Sequence, residues 1–328
     1  MQNSPYKPSE EVILNLEKKQ YGVFNHSAVQ ICTWTKKSLT GKGECYKNKF
    51  YGVKTHSCME FSPSAMVCSQ RCTFCWRPTE YMKNFILDVE KVDEPEMIVK
   101  NLLEKRKKLL TGFKGNKEVI LEKLDESYSQ DPVHYAISLS GEPTLYPKLN
   151  ELVKYLKSLP RTETIFIVTN AQKPEFFINL DSESLPTQLY ISLDAPNEEL
   201  YKKINCPLYS DGWERLNKSL FLASNLPTRK VIRFTQIKGL NDKDKFLKDY
   251  SRLFELYKAD FIEVKAYMHI GLSQKRHSKE QMPEFEEVKE FALKLCKENP
   301  NYELVDEMKD SRIVLLKRKD SLYGCRIY

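Results

Sequence analysis

The amino-acid sequence predicts an α/β fold, a partial (β/α)6 barrel of the TIM type that stays open on one side. Three observations lead there. Six apolar, strand-like runs recur at residues 58–61, 134–140, 164–169, 188–193, 231–237 and 261–266. Helical patterns lie between them, at 94–110, 147–158, 174–179, 197–203 with 212–223, and 242–257, and a last helix covers 284–297. Near-continuous apolar strands alternating with helices mark parallel βαβ units. Six such units fall short of the eight that close a full barrel. The third observation is where the polar residues sit. Ser140-Gly141-Glu142-Pro143-Thr144, Thr169-Asn170, Asp194, Lys238-Gly239 and Lys265-Ala266-Tyr267 all follow strand ends. Chemistry in α/β barrels gathers at the C-terminal ends of the strands, so an active-site rim is expected there.

The remaining segments fall on either side of this core. Residues 1–57 read as an N-terminal extension, 58–300 as the barrel, and 301–328 as a C-terminal hairpin and tail with strands at 302–305 and 312–316. The polar stretch 111–131 reads as an extra helix or an insertion. No repeat of fixed period, low-complexity tract or long linker interrupts the chain.

With 328 residues, 41 % hydrophobic and 30 % charged, the chain is long enough for one sizeable core and has ordinary globular composition. No apolar run is long enough to span a bilayer, and Met1-Gln2-Asn3-Ser4-Pro5-Tyr6-Lys7 lacks the apolar stretch of a secretory signal. A cytoplasmic protein without membrane contact is expected, where thiols stay reduced and clustered cysteines read first as metal ligands. The Lys- and Glu-rich composition would also suit a thermophile, whose intracellular proteins do use disulfides.

The formal charge of +7 is a mild excess, but its distribution is uneven. Between Ile31 and Ser57, Lys36, Lys37, Lys42, Lys47, Lys49 and Lys54 face a single acid, Glu44, with Tyr46, Phe50 and Tyr51 interleaved. Cations beside stacking faces suit a nucleic-acid surface, and solvated lysines over core aromatics are the other reading. Lys105-Arg106-Lys107-Lys108 lies on a predicted helix and reads as a solvated face. Gln274-Lys275-Arg276-His277 lies in a predicted loop, so Lys275 and Arg276 are the better contact candidates.

Cysteines carry the sharpest signal. Cys68, Cys72 and Cys75 stand at x3 and x2 spacing, with Phe74 just before the last. Three close thiolates can hold three irons of a 4Fe–4S cubane and leave the fourth iron open to a substrate. A zinc knuckle, redox cysteines or buried thiols are the other readings of that spacing. The pattern resembles the signature of the radical S-adenosylmethionine (SAM) enzymes. The resemblance implies that the open iron chelates SAM and that the reduced cluster cleaves it to a 5′-deoxyadenosyl radical. Ser140-Gly141-Glu142-Pro143 resembles the Gly-Gly-Glu-Pro segment that receives the SAM amino group, with serine for the first glycine. Thr169, Asn170, Ser192 and Asp194 stand where the superfamily bonds ribose or carboxylate, and Phe74 where it meets adenine. Ala171 stands where glycine would be expected.

A second trio, Cys32, Cys45 and Cys58, is spaced by twelve residues each time. It suggests another cluster with an open iron able to chelate an α-keto acid, or a zinc site completed by His26 or His56, or unrelated core thiols. Cys206, Cys296 and Cys325 receive no role. With both trios, the strings Cys45-Tyr46-Lys47-Asn48-Lys49-Phe50-Tyr51-Gly52, Cys72-Thr73-Phe74-Cys75-Trp76-Arg77 and Glu263-Val264-Lys265-Ala266-Tyr267-Met268-His269 resemble the archaeal tRNA 4-demethylwyosine synthase family.

That resemblance implies two 4Fe–4S clusters, SAM, pyruvate as a two-carbon donor, and phenylalanine tRNA bearing N1-methylguanosine beside the anticodon. A monomer is expected, and electrons would come from a separate ferredoxin- or flavodoxin-like donor. The N-methyl radical would attack pyruvate, the carboxyl carbon would leave, and the exocyclic amine would close the ring. Lys47, and after it Lys265, are the candidates to form an imine with pyruvate or to pair with its carboxylate. Lys36, Lys37, Lys42, Arg77, Lys275 and Arg276 are expected tRNA contacts, with Trp76 and Tyr267 stacking on the extruded base. A zinc-stabilised RNA-binding protein without catalysis, or a two-cluster radical SAM enzyme on another substrate, is the alternative.

Overall fold

Residues 5–82 and 86–328 are described by a computed structural model. Six parallel strands form its centre: β3 (Cys58–Ser62), β4 (His134–Ile137), β5 (Thr164–Thr169), β6 (Gln188–Ser192), β7 (Arg229–Gln236) and β8 (Phe261–Ala266). Ahead of them come α1 (Glu10–Lys18), the hairpin β1 (Tyr21–Phe24) and β2 (Ser27–Gln30), α2 (Thr33–Leu39) and α3 (Tyr46–Tyr51). The connecting helices are α4 (Pro95–Thr111), α5 (Leu121–Ser129), α6 (Leu149–Ser158), α7 (Pro174–Ile178), α8 (Glu198–Ile204), α9 (Gly212–Ala223) and α10 (Leu247–Tyr257). The chain closes with α11 (Phe285–Glu298) and the strands β9 (Tyr302–Met308) and β10 (Ile313–Arg318).

Both flanking hairpins join the same sheet. β2 pairs antiparallel with β3, and β10 pairs antiparallel with β8, giving the order β1-β2-β3-β4-β5-β6-β7-β8-β10-β9. The expected terminal hairpin is therefore a continuation of the barrel wall. Its reason is plain in β10, where Ile313, Val314, Leu315 and Leu316 are all fully buried. The helix expected from residue 242 begins at Leu247, after a single 3-10 turn at Asp244–Phe246. The strand expected to reach Ser140 stops at Ile137, where the backbone turns to meet the cysteine loop.

Alternation along the strands produces two separate cores. Met59, Phe61, Tyr135, Ile137, Ile165, Ile167, Ile232 and Phe234 face outward and pack under the helices. Ala136, Phe166, Tyr190, Val231 and Phe261 face inward, where they meet Tyr46, Phe50 and Tyr51 of α3. The barrel interior is thus filled partly by its own N-terminal extension. Glu263, wholly buried on β8, accepts hydrogen bonds from the hydroxyls of Tyr46 (3.0 Å) and Tyr51 (2.8 Å). Two hydrogen bonds converging on one buried carboxyl group fix α3 against the wall.

Candidate active site

The loop after β3 holds Cys68, Cys72 and Cys75, all free and partly buried. Its backbone is bolted from outside. Arg71 N–H donates to the carbonyls of Asn205 and Cys206 (3.2 and 3.0 Å), and Thr73 N–H to Ile204 (2.8 Å). The Arg276 guanidinium donates to the carbonyls of Thr73 (3.0 Å) and Cys75 and to Thr79 Oγ1 (3.0 Å). Amides reach two of the sulfurs: Asn170 Nδ2 lies 3.8 Å from Cys68 Sγ, and Asn205 Nδ2 the same distance from Cys72 Sγ.

Gly141 explains how the second strand end meets this loop. Its φ is +74°, and a Cβ there would sit 1.9 Å from the Ser64 carbonyl oxygen and 2.7 Å from that of Val67. Glu142 N–H donates to Val67 O (2.8 Å), and Ser64 Oγ donates to Glu142 O (2.7 Å). The Glu142 carboxylate is buried and accepts from Thr144 N and Oγ1, Thr169 Oγ1 and Asn170 N at 2.6–3.1 Å. Burial pushes it above the usual carboxylate range against those four donors. Ala171, where glycine was expected, has φ +58°, the left-handed conformation that favours glycine. Asp194 is raised to about 6 by burial, opposed by bonds from Thr235 N (2.9 Å) and Asn205 Nδ2 (3.1 Å). Ser140 Oγ is buried without a partner among the described residues, and Ser192 is half-buried at the end of β6. Phe74 packs on the outer core.

The second trio is assembled by the fold. Cys32 precedes α2, Cys45 precedes α3, and Cys58 opens β3. Each thiol lies in the field of another: Cys32 raises both Cys45 and Cys58. Burial is the first cause for all six thiols, with Cys45 and Cys68 pushed up to about 12. Redox cysteines need the opposite, a lowered pKa. Among the described residues no three His, Cys, Asp or Glu side chains are grouped tightly enough to hold a metal ion as they stand. Three thiols on neighbouring elements, two of them in the field of the third, are the donor type that three irons of a cubane take.

Lys47 enters the barrel from α3. Its Nζ lies 4.6 Å from the Phe166 ring centroid and 5.0 Å from that of Tyr190. Lys265 follows on β8, 5.3 Å over the Tyr46 ring, and is lowered to about 8 by burial and by the Arg233 guanidinium. Both lysines lie in the field of Cys45.

Several expected tRNA contacts have other work. Arg77 is buried, bonded to Tyr21 and Gln30 and paired with Glu60 at 3.7 Å, so it fastens β1 and β2 and has no face for phosphate. Tyr267 is 1 % exposed and donates to Ser273, which leaves no ring face for a base. Arg276 holds the cysteine loop. Trp76 is 43 % exposed, although the Arg77 guanidinium covers it at 3.8 Å. Lys36, Lys37, Lys42 and Lys275 keep solvent access, Lys37 lying over the Trp34 ring at 4.5 Å and Lys42 paired with Glu118 at 2.5 Å. Arg233, Glu263 and Asn205 were not singled out from the sequence. A charge at alternate positions of the apolar strands β7 and β8 was the signal for the first two.

A parallel partial barrel whose first loop carries this trio, with Glu142 beside it, defines a radical SAM enzyme. The radical SAM superfamily model matches residues 63–249, and the model for wyosine base formation matches residues 256–318. More particularly, the chain is 42 % identical to the S-adenosyl-L-methionine-dependent tRNA 4-demethylwyosine synthase of Pyrococcus abyssi, over 98 % of this chain and 92 % of that one. The Methanocaldococcus jannaschii synthase is 38 % identical over 95 % of this chain and 97 % of that one. A TYW1 structure with a lysine–pyruvate adduct bound superposes with TM-score 0.86 at 35 % identity, over 98 % of this chain and 100 % of that one. A crystal structure of archaeal TYW1 gives 0.77 at 31 % identity, over 97 % and 99 % of the two chains. The chain belongs to the tRNA 4-demethylwyosine synthase family.

Proposed function

We propose that the protein converts N1-methylguanosine in phenylalanine tRNA to 4-demethylwyosine, taking two carbons from pyruvate, with one 4Fe–4S cluster on each cysteine trio. What carries the reading is the Lys47 amine inside the barrel, in the field of the second trio. Its neighbour in similarity, the TYW1 structure with a lysine–pyruvate adduct, supports a covalent role for a lysine.

Cys68, Cys72 and Cys75 would hold the cluster that binds SAM, and Cys32, Cys45 and Cys58 the second. When bound, the reduced cluster and SAM supply a radical able to take a hydrogen atom from the N-methyl group. The chain's own residues do the rest. Glu142, already fixed by four donors, offers its remaining lone pairs to an ammonium. Ser140 and Ser192 offer free hydroxyls to ribose or carboxylate. Lys47 adds to the C2 carbonyl of pyruvate, water leaves, and the resulting imine holds the acceptor carbon in one orientation. Phe166 and Tyr190 line that position and exclude water. An external one-electron donor completes the reaction, and half-buried Lys36 and Lys37 with exposed Lys42, Lys275 and Trp76 form the tRNA footprint.

The test is Lys47→Ala in reconstituted, anaerobic protein with pyruvate and N1-methylguanosine-bearing tRNA. Release of 5′-deoxyadenosine and tRNA binding should persist, while the tricyclic nucleoside and the borohydride-trapped pyruvate adduct disappear. Product at the wild-type rate would remove Lys47 from the chemistry and turn attention to Lys265.

A further inference from the structure

Strand β7 carries two arginines on its inward face, and they are treated very differently. Arg229, at the start of the strand, is fully engaged: it donates to Gln188 Oε1 (3.0 Å) and to the carbonyls of Gly324 and Cys325 (2.8 Å each). Arg233 lies one turn of the pleat further, level with Ser192 on β6 and Glu263 on β8. Its neighbours Ile232 and Phe234 are buried in the outer core, so alternation directs Arg233 into the barrel. Among the described residues its side chain makes no hydrogen bond or ion pair, although its carbonyl accepts from Leu193 N–H (3.1 Å).

The acids around it are already occupied. Glu263 accepts from two tyrosines, Asp194 from Asn205 and Thr235, and Glu60 pairs with Arg77. Each of them senses Arg233, as do Cys75 on one side and Tyr46 and Lys265 on the other. Among the described residues the Lys265 amine has no hydrogen bond either, only the Tyr46 ring. Two cations without bonded partners therefore share the interior between the two trios. A guanidinium presents five donors in a fixed fork, and Arg233 is only half-buried, so that fork stays open to a ligand entering the barrel. That fork matches a carboxylate bidentately.

We propose that Arg233, with Lys265 beside it, receives the α-carboxylate of a small substrate held between the two cysteine trios. The inference rests on the function proposed above, because that reaction brings two α-carboxylates into the barrel. One belongs to pyruvate, a 2-oxo acid, and the other to the amino-acid end of SAM. Arg233 stands between the thiols of one cluster and the lysines of the other, so either can reach it by position. The shared requirement is a carboxylate geminal to a second polar group, with Arg233 in the plane of its two oxygens.

Arg233→Gln and Arg233→Lys, reconstituted with iron and sulfide, test it. SAM affinity is measured by equilibrium dialysis. Pyruvate affinity is measured from the concentration that half-saturates the borohydride-trapped adduct, with methyl pyruvate as a probe lacking the carboxylate. The Gln variant should lose about 10- to 100-fold in one of the two affinities, the Lys variant less. A loss for pyruvate with SAM unchanged assigns the 2-oxo acid, provided methyl pyruvate is trapped equally in wild type and variant. A loss for SAM alone assigns the amino acid. Unchanged affinity for both, or an equal loss for methyl pyruvate, overturns the proposal. If wild type forms no adduct, the lysine reading fails by itself, and the pyruvate arm is read from KM in turnover. Iron content and thermal midpoint of the Lys variant separate a binding defect from misfolding.

Discussion

The two ends of the first barrel strand carry the same number of thiols, held in opposite ways. At the C-terminal end, Cys68, Cys72 and Cys75 share one loop, and the groups that fix it are bonded: Glu142 has four donors and Arg276 locks three acceptors of the loop. At the N-terminal end, Cys32, Cys45 and Cys58 come from three elements, and the cations near them are left open: among the described residues the amines of Lys47 and Lys265 have aromatic rings as neighbours and no hydrogen bond. The lesson is about division of labour. A satisfied shell holds a reagent in one place, whereas unfilled donors await a substrate that brings its own acceptors.

The comparison is broken most directly by removing each trio. Replacing Cys68, Cys72 and Cys75 with alanine should remove about half the iron and end SAM cleavage, since three ligands of one of two cubanes are lost. Replacing Cys32, Cys45 and Cys58 should remove a similar share of iron yet leave SAM cleavage uncoupled from product. Iron and sulfide analysis with 5′-deoxyadenosine assay decides. Full iron retention in the second variant would reduce that trio to core thiols.

A backbone contact at the crowded end is the next test. Gly141→Ala places a methyl group 1.9 Å from the Ser64 carbonyl oxygen at φ +74°, and neither backbone can yield without moving the cysteine loop. A loss of about 3 kcal/mol or more is expected, with SAM binding lost alongside. Gly239 is the control. Its φ is +75° but no atom stands within 4 Å, so Gly239→Ala should cost only about 1 kcal/mol. Chemical denaturation of both variants compares them, and equal losses would show that conformation alone, without the contact, sets the value.

These contrasts also explain what could be read from the sequence. The crowded end was legible because its residues lie close together in the chain: a triad within eight positions, and Gly141-Glu142 at a strand end. The six parallel strands were legible for the same reason, since each is a short apolar run. The open end was not. Helix α3 reads as a basic aromatic stretch, and only tertiary pairing of Tyr46 and Tyr51 with Glu263 turns it into a barrel plug. Arg77 and Arg276 looked like phosphate contacts because charge alone says nothing of burial. The hydrogen-bond partners of Arg77 lie 47 and 56 positions away, and those of Arg276 about 200.

The smallest effect expected is also the one that most finely separates the two ends. His134 opens β4 beside Cys58, in the N-terminal layer. Its Nε2 accepts from Lys54 N–H (2.9 Å), so the neutral ring carries its proton on Nδ1 and donates to Thr164 Oγ1 (2.8 Å). Protonating Nε2 would set a proton against a backbone N–H. Burial first, then the charges of Lys54, His56 and Lys47, push His134 down to about 4, although Glu163 lies 3.9 Å from its Nε2. The sign follows from linkage. Below its unfolded value of about 6.5 the unfolded chain binds a proton that the folded chain refuses, so stability falls as pH drops through that window and levels off below about 4. At pH 5 the loss relative to pH 7 should be about 2 kcal/mol from this group. His134→Gln keeps an acceptor for Lys54 N–H but cannot titrate. Urea midpoints of the cluster-loaded proteins at pH 7 and pH 5 should therefore diverge less in the variant than in wild type. An identical pH response would place the acid sensitivity at carboxylates held low by their ion pairs, such as Glu287 beside Lys238, away from this layer.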